Sequence, residues 1–142
     1  MTIFIKKETM KILSVKQYSN RLKVTIQSSG RLNFTDDTTK TLKLTEGTLV
    51  KFALDDENGN TLYLILAGQN DEDAFKVRKS GAYNYIPTKS LFDALEIDYV
   101  GKTIGYDLVR AQSKDVELGG IAFRMSERDT KNKNGGNDEL SD

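Results

Sequence analysis

The stretch Phe75-Lys76-Val77-Arg78-Lys79-Ser80-Gly81-Ala82-Tyr83-Asn84-Tyr85-Ile86-Pro87 decides the fold. Apolar and polar side chains alternate on both sides of Ser80-Gly81, the period of two short strands joined by a turn. On this reading Phe75, Val77, Tyr83 and Tyr85 face inward. Pro87 is the only proline; it suits entry to a helix, and Thr88 is placed to cap it. Leu91 and Leu95 then lie four apart on one helix face, with Ala94 beside them. Lys102 to Arg110 reads as a strand with Ile104, Tyr106 and Leu108 inward, and Gly119 to Met125 closes the segment.

The preceding residues read the same way. Leu22, Val24 and Ile26 alternate with Lys23, Thr25 and Gln27. Ser28-Ser29-Gly30 is a turn, and Leu32 and Phe34 alternate again. Thr35-Asp36-Asp37-Thr38 is rich in helix-capping residues and predicts one or two helical turns leading to Leu42 and Leu44. Thr48 to Leu54 is a strand, with Val50, Phe52 and Leu54 among its apolar positions. Asp55 to Asn60 forms a hairpin turn around Asn58-Gly59, and Thr61 to Leu66 returns. Gly68 to Asp73 is an exposed polar loop.

The two halves, residues 21–67 and 74–125, match in order. Val24-Thr25-Ile26 sits against Phe75-Lys76-Val77, Ser29-Gly30 against Ser80-Gly81, and Leu32-Asn33-Phe34 against Tyr83-Asn84-Tyr85. Leu42 and Leu44 match Leu95 and Ile97 after two inserted residues. Gly47 matches Gly101, and Val50, Phe52 and Leu54 match Ile104, Tyr106 and Leu108. Chance alternation accounts poorly for two Ser-Gly turns, a shared Asn and a shared helix-to-Gly step, so the pattern is read as an internal repeat. A unit of about fifty residues is marginal alone, whereas two units sharing one core are not. The expected fold is mostly β (α+β), with two tandem ββαββ units packed as one pseudo-two-fold β-barrel over residues 21–125. Residues 1–20, with Ile3-Phe4-Ile5 and Ile12-Leu13-Ser14-Val15, form an N-terminal strand segment. Residues 126–142 carry no apolar pattern and are expected to be a disordered tail.

The second half resembles the swapped-hairpin family of AbrB and MazE. Its basic strand leads to a Gly turn, a strand ending in Ile86-Pro87, a short helix, the Leu95-Glu96-Ile97 step and a strand led by Gly101. The first half resembles the family less, with Asp36 where Pro87 sits. The resemblance implies a swapped-hairpin barrel that binds duplex DNA as a non-enzymatic regulator, here with two copies fused in one chain. Ala82 stands where that family often carries a basic residue after the Gly, although Arg31 holds this place in the first half.

Composition narrows the chemistry. The 142-residue chain has no His, Cys or Trp. It therefore lacks disulfides, thiolate metal ligands, thiol nucleophiles and the commonest general base. An acid or base would have to be Asp, Glu, Lys or Tyr, and the carboxylates cluster in turns (Asp55-Asp56-Glu57 and Asp71-Glu72-Asp73), where such residues serve the turn itself. Asp56, Asn58 and Asn60 lack the Gly and the distal Glu of a calcium loop. Gly119-Gly120 is a bare pair rather than a phosphate-binding loop. No enzyme, metal or cofactor is expected. No apolar run reaches the roughly 20 residues of a membrane span, and the N-terminus lacks the pattern of a signal peptide; the expectation is a cytoplasmic protein with no membrane partner.

Net charge is zero, yet residues 1–51 hold ten Lys/Arg against four Asp/Glu. Arg21, Lys23 and Arg31 in the first half, and Lys76, Arg78 and Lys79 in the second, fall at similar repeat positions. Paired strands with their Gly turns would set them near one edge, where Lys and Arg neutralise phosphates and Arg also reads base edges. The bland alternative is an ordinary solvated basic surface. Two functions remain open: binding of duplex DNA through these six residues, or a protein-interaction or self-assembly module in which strand edges join homo-oligomers or a protein partner.

Overall fold

A computed structural model describes residues 22–132. The expected strands before Arg21, Arg21 itself and residues 133–142 lie outside the described residues. The elements are β1 (Leu22–Ile26), β2 (Leu32–Phe34), α1 (Asp36–Thr41), β3 (Leu49–Asp55), β4 (Thr61–Ala67), β5 (Phe75–Lys76), β6 (Arg78–Ser80), β7 (Tyr83–Ile86), α2 (Lys89–Ala94), β8 (Lys102–Arg110), α3 (Asp115–Leu118) and β9 (Gly120–Asn132). Short 3-10 turns at Asp56–Asn58 and Gln112–Lys114 complete the set.

Among the described residues all pairings are antiparallel, and they form one nine-stranded sheet in the order β5-β3-β4-β9-β8-β1-β2-β7-β6. The two ends of this order, β5 and β6, are separated in the chain by Val77 alone. The Val77 N–H donates to the Thr48 carbonyl at 2.8 Å, and its carbonyl accepts from the Gly47 N–H at 2.8 Å. The segment 75–80 thus starts on β3 and finishes on β7, switching partners at a fully buried valine. The sheet curls into a nearly closed, barrel-like shape, because a strand that belongs to both ends draws those ends together. The closure is partial: β5 pairs only with Leu49 and Val50, so β3 from Lys51 onward has no strand on that side among the described residues.

The interior is filled by Val24, Ile26, Leu32, Val50, Leu64, Val77, Ile86 and Phe92, all buried. Phe92 reaches in from α2 and meets Phe52 edge-on with ring centroids 6.0 Å apart; Phe52 meets Phe75 the same way at 5.8 Å. These edge-to-face contacts favour the ring quadrupoles and fill the seam where β5 leaves off.

The helices α1 and α2 exit through the same hydrogen-bond pattern. In α1 the Leu42 N–H donates to the Thr38 carbonyl and the Leu44 N–H to the Thr39 carbonyl; in α2 Leu95 donates to Leu91 and Ile97 to Phe92, all at 2.9–3.0 Å. Lys43 and Glu96, the residues after the two C-caps, both take left-handed conformations (φ 55° and 59°), as do Gly47 and Gly101 further on. This is the αL exit that satisfies the last helical carbonyls. The matched spacing of Leu42/Leu44 with Leu95/Ile97 is therefore present in the backbone.

The hairpins differ. Ile26 and Leu32 close a loop in which the Gln27 N–H donates to the Arg31 carbonyl, whereas Ser80 and Tyr83 close a two-residue turn of Gly81 and Ala82. Leu32 and Phe34 are buried and Asn33 is half-buried between them, but in β7 Asn84 is buried while Tyr83 is 61% exposed. The correspondence of Asn33 with Asn84 is thus out of phase, and the expectation that Tyr83 and Tyr85 point inward is corrected. Side chains alternate with period two along a strand, so a one-residue offset reverses every face.

Two further expectations change. Residues 126–132, assigned by pattern to a disordered tail, extend β9 and pair with Lys102–Asp107 of β8 past a bulge at Gly105/Tyr106. Their backbone groups are satisfied by that ladder, which needs no apolar side chains. Thr88 occupies the N-cap position of α2 but makes no side-chain cap; its hydroxyl donates instead to the carbonyl of Gly30 at 2.9 Å. Thr35 caps α1 as expected, its hydroxyl accepting from the Thr38 N–H.

Candidate nucleic-acid interface

The outer face of β6, β7, β2, β1 and β8 is built by ladder register. Arg78 lies opposite Tyr85, Tyr85 opposite Asn33, Asn33 opposite Thr25, and Thr25 opposite Gly105. At about 4.8 Å per strand this row spans roughly 19 Å. Lys23 stands two residues from Thr25 on the same face and opposite Asp107. Arg31, two residues before Asn33, lays its guanidinium over the Tyr85 ring at 3.9 Å from the centroid. Stacking of this kind orients the planar cation without neutralising it.

The row is shallow at its centre. Gly105 has no side chain, and a Cβ there would collide with the guanidinium of Arg128 and the carboxylate of Asp129. Arg128, held by Asp107 with Nε at 3.7 Å from Oδ1 and by Asp129 at 3.7 Å, closes the far end of the row. Asn33 Oδ1 is shut from solvent and has no hydrogen-bond partner among the described residues.

Of the six predicted site residues, Lys23, Arg31 and Arg78 are gathered on this face. Lys79 is near them, on the β6–β7 hairpin. Lys76 is set apart on β5, beside an open depression of about 960 Å³ whose rim also carries Glu46, Asp71 and Glu72. Arg21 lies outside the described residues. Lys23, Arg31, Arg78 and Lys79 form no salt bridge among the described residues, whereas Lys51, Lys89, Lys102, Arg110 and Lys114 each have a carboxylate partner. The face therefore carries Lys23, Arg31, Arg78 and Arg128 against the two carboxylates of Asp107 and Asp129, a positive excess over a zero-charge chain.

Sequence reading missed Arg128 because it fell in the presumed tail, and it missed the outward tyrosines because their alternation was assigned the wrong phase. The signal for Arg128 was its place in Ser126-Glu127-Arg128-Asp129-Thr130, where a strand partner is invisible without the register of β8. Among the described residues no cluster of three or more Asp or Glu side chains is placed to hold a metal ion, and no helix is long and apolar enough to cross a membrane. Compared with known protein families, with curated proteins and with solved structures, the chain matches none of them.

Proposed function

We propose that this chain is a non-enzymatic DNA-binding protein, similar in architecture and use to AbrB-type regulators, with two tandem swapped-hairpin-like units forming a pseudo-two-fold barrel. The observation that carries this reading is the grouping of Lys23, Arg31 and Arg78 on one strand face, none of them with a carboxylate partner among the described residues. A cluster of cations on one face raises the local positive potential and favours a polyanion. The matching exits of α1 and α2, with Lys43 and Glu96 both left-handed, support the tandem-unit reading. Neutralising about four phosphates gives a slope of log affinity on log salt of roughly −3 to −4.

The test is a low-salt gel shift with mixed-sequence duplex and single-stranded DNA. The wild type is expected to bind duplex with affinity falling steeply as salt rises, and Arg31→Ala/Arg78→Ala to lower the salt slope by about two. Absence of salt-sensitive duplex binding at low ionic strength removes the reading.

A second reading, a protein-interaction or self-assembly module, is favoured by the uncovered edge of β3 and by exposed Val116 and Ile121. An open strand edge accepts another strand by main-chain hydrogen bonds. Under that reading, deletion of residues 1–15 changes the mass measured by light scattering; an unaltered mass counts against it.

A further inference from the structure

The two hairpins on this face are unequal in reach. The β1–β2 loop is held against the body: Gly30 is buried, its carbonyl accepts from Thr88, and a Cβ at Gly30 would strike Lys89 and the Tyr99 ring. Among the described residues the β6–β7 hairpin has no such anchor. Arg78, Lys79, Ser80, Gly81, Ala82 and Tyr83 are all exposed, and a Cβ at Gly81 would meet nothing within 4 Å. Lys79 is the telling residue. Its row across the sheet, through Asn84, Phe34 and Val24, faces the interior, and those three are buried; Lys79 is not. The sheet runs past its own core at β6, so the edge strand and its turn, Arg78 to Tyr83, stand in solvent while Asn84 and Ile86 of β7 stay buried.

Resting on the DNA-binding reading, we infer that the β6–β7 hairpin enters the major groove of duplex DNA, while Lys23 and Arg31 hold the flanking phosphates. The shape fits. A two-stranded ribbon has strands about 4.8 Å apart, and a major groove about 12 Å wide admits such a ribbon with its side chains. The chemistry divides accordingly. Lys79 supplies donors for guanine O6 and N7, Tyr83 supplies a ring for the thymine methyl and a hydroxyl for a base edge, and Arg78 stays with the phosphate at the groove wall. Gly81-Ala82 keeps the tip narrow.

The experiment measures fluorescence anisotropy at low salt with two mixed-sequence duplexes of identical sequence. One carries ordinary cytosine; the other carries glucosylated hydroxymethylcytosine, which fills the major groove and leaves the phosphates in place. The wild type is expected to bind the modified duplex at least roughly tenfold more weakly, since base-edge contacts carry most of such discrimination. Tyr83→Ala/Lys79→Ala should bind both duplexes about equally. Lys23→Ala/Arg31→Ala should weaken both in proportion and keep the ratio. Equal wild-type affinity for the two duplexes, with salt-sensitive binding intact, overturns groove entry but leaves the phosphate-binding face standing. A wild-type preference for single-stranded DNA of the same sequence also overturns it, and absence of any binding overturns both proposals together.

Discussion

The β1–β2 hairpin and the β6–β7 hairpin read alike in sequence and differ in the folded chain. Both begin with a basic strand and turn at Ser-Gly. The first returns through Leu32 and Phe34, which are buried, and its turn is packed under α2 by Thr88, Lys89 and Tyr99. The second returns through Tyr83 and Tyr85, which face outward, and its turn stands clear. What separates them is the partner on the far side. The β1 strand is followed in the sheet by β8 and has neighbours on both edges, whereas β6, among the described residues, is the last strand and has one. The same local pattern is a wall element in one place and a projecting arm in the other, so alternation identifies a strand without identifying which of its faces is covered.

Perturbations at matched positions sharpen this contrast. The largest effect is expected at the helix position shared by Phe92 and Thr39, whose carbonyls accept the equivalent bonds from Ile97 and Leu44. Phe92→Ala removes a fully buried ring in contact with Phe52 and is expected to cost about 3–5 kcal/mol in urea denaturation. Thr39→Ala, only half-buried, is expected to cost under about 1 kcal/mol. Equal losses would break the asymmetry.

Next come the two turn glycines. Gly30 has φ 90° and Gly81 φ 61°, so either alanine is strained by about 1–2 kcal/mol. At Gly30 the methyl group also displaces Lys89 and the Tyr99 ring, raising the expected cost to about 2–4 kcal/mol. A thermal melt should therefore place Gly30→Ala clearly below Gly81→Ala; the reverse order would mean that the β6–β7 turn is the anchored one.

A smaller effect separates the two buried threonines. The Thr38 hydroxyl accepts from the Lys23 N–H at 2.7 Å and donates to the Lys23 carbonyl at 2.9 Å, tying α1 to β1. Thr38→Val strands the Lys23 N–H and leaves the Lys23 carbonyl with only the longer bonds from Thr35, at an expected cost of about 2 kcal/mol, with faster hydrogen exchange at Lys23. Thr88→Val strands no N–H and removes the bonds to the Gly30 and Ile86 carbonyls, and should cost about 1 kcal/mol, with its exchange changes centred on the β1–β2 loop.

The smallest effect concerns the turns that join β3 to β4 and β8 to β9. Asp115 clasps the second turn: Arg110 donates to both of its oxygens at 2.7 and 2.6 Å, and the Ala122 N–H donates to Oδ1 at 2.9 Å. The guanidinium, followed by that N–H, holds the Asp115 carboxyl down to about 2. Its stabilising contribution is present above the unfolded value near 4 and is lost as pH falls toward 2. Asp115→Asn should flatten the dependence of stability on pH across that window, with a modest loss above pH 5, where the wild-type carboxylate is ionised, and little change near pH 2; the loss is modest because the pair is solvent-accessible. A mutant curve parallel to that of the wild type would show that the clasp does not couple to folding.

Most of the elements were legible in the sequence. Leu22/Val24/Ile26, Thr61–Leu66 and Lys102–Arg110 are strands as their alternation predicts, the helix after Pro87 is present, and the step from Leu95 through Ile97 to Gly101 has its counterpart from Leu42 to Gly47. The candidate face was half legible. Lys23, Arg31 and Arg78, which the basic pattern singles out, fall together, but Lys76 separates onto β5, and Arg128 arrives from a segment with no pattern of its own. Polar strand residues carry no periodic signal when both faces are solvated, so β9 beyond Met125 could not be recognised without its partner.

By itself the sequence determined where the chain extends and turns, and which chemistry it lacks, since these follow from side-chain alternation, from glycine and proline, and from the absence of His and Cys. Only the tertiary structure decided that Val77 passes the chain from one end of the sheet to the other, that Tyr83 and Tyr85 look outward, and that Arg128 joins Lys23, Arg31 and Arg78. Those outcomes depend on ladder register between strands far apart in the chain, and register is fixed by the whole set of neighbours rather than by any one strand's own residues.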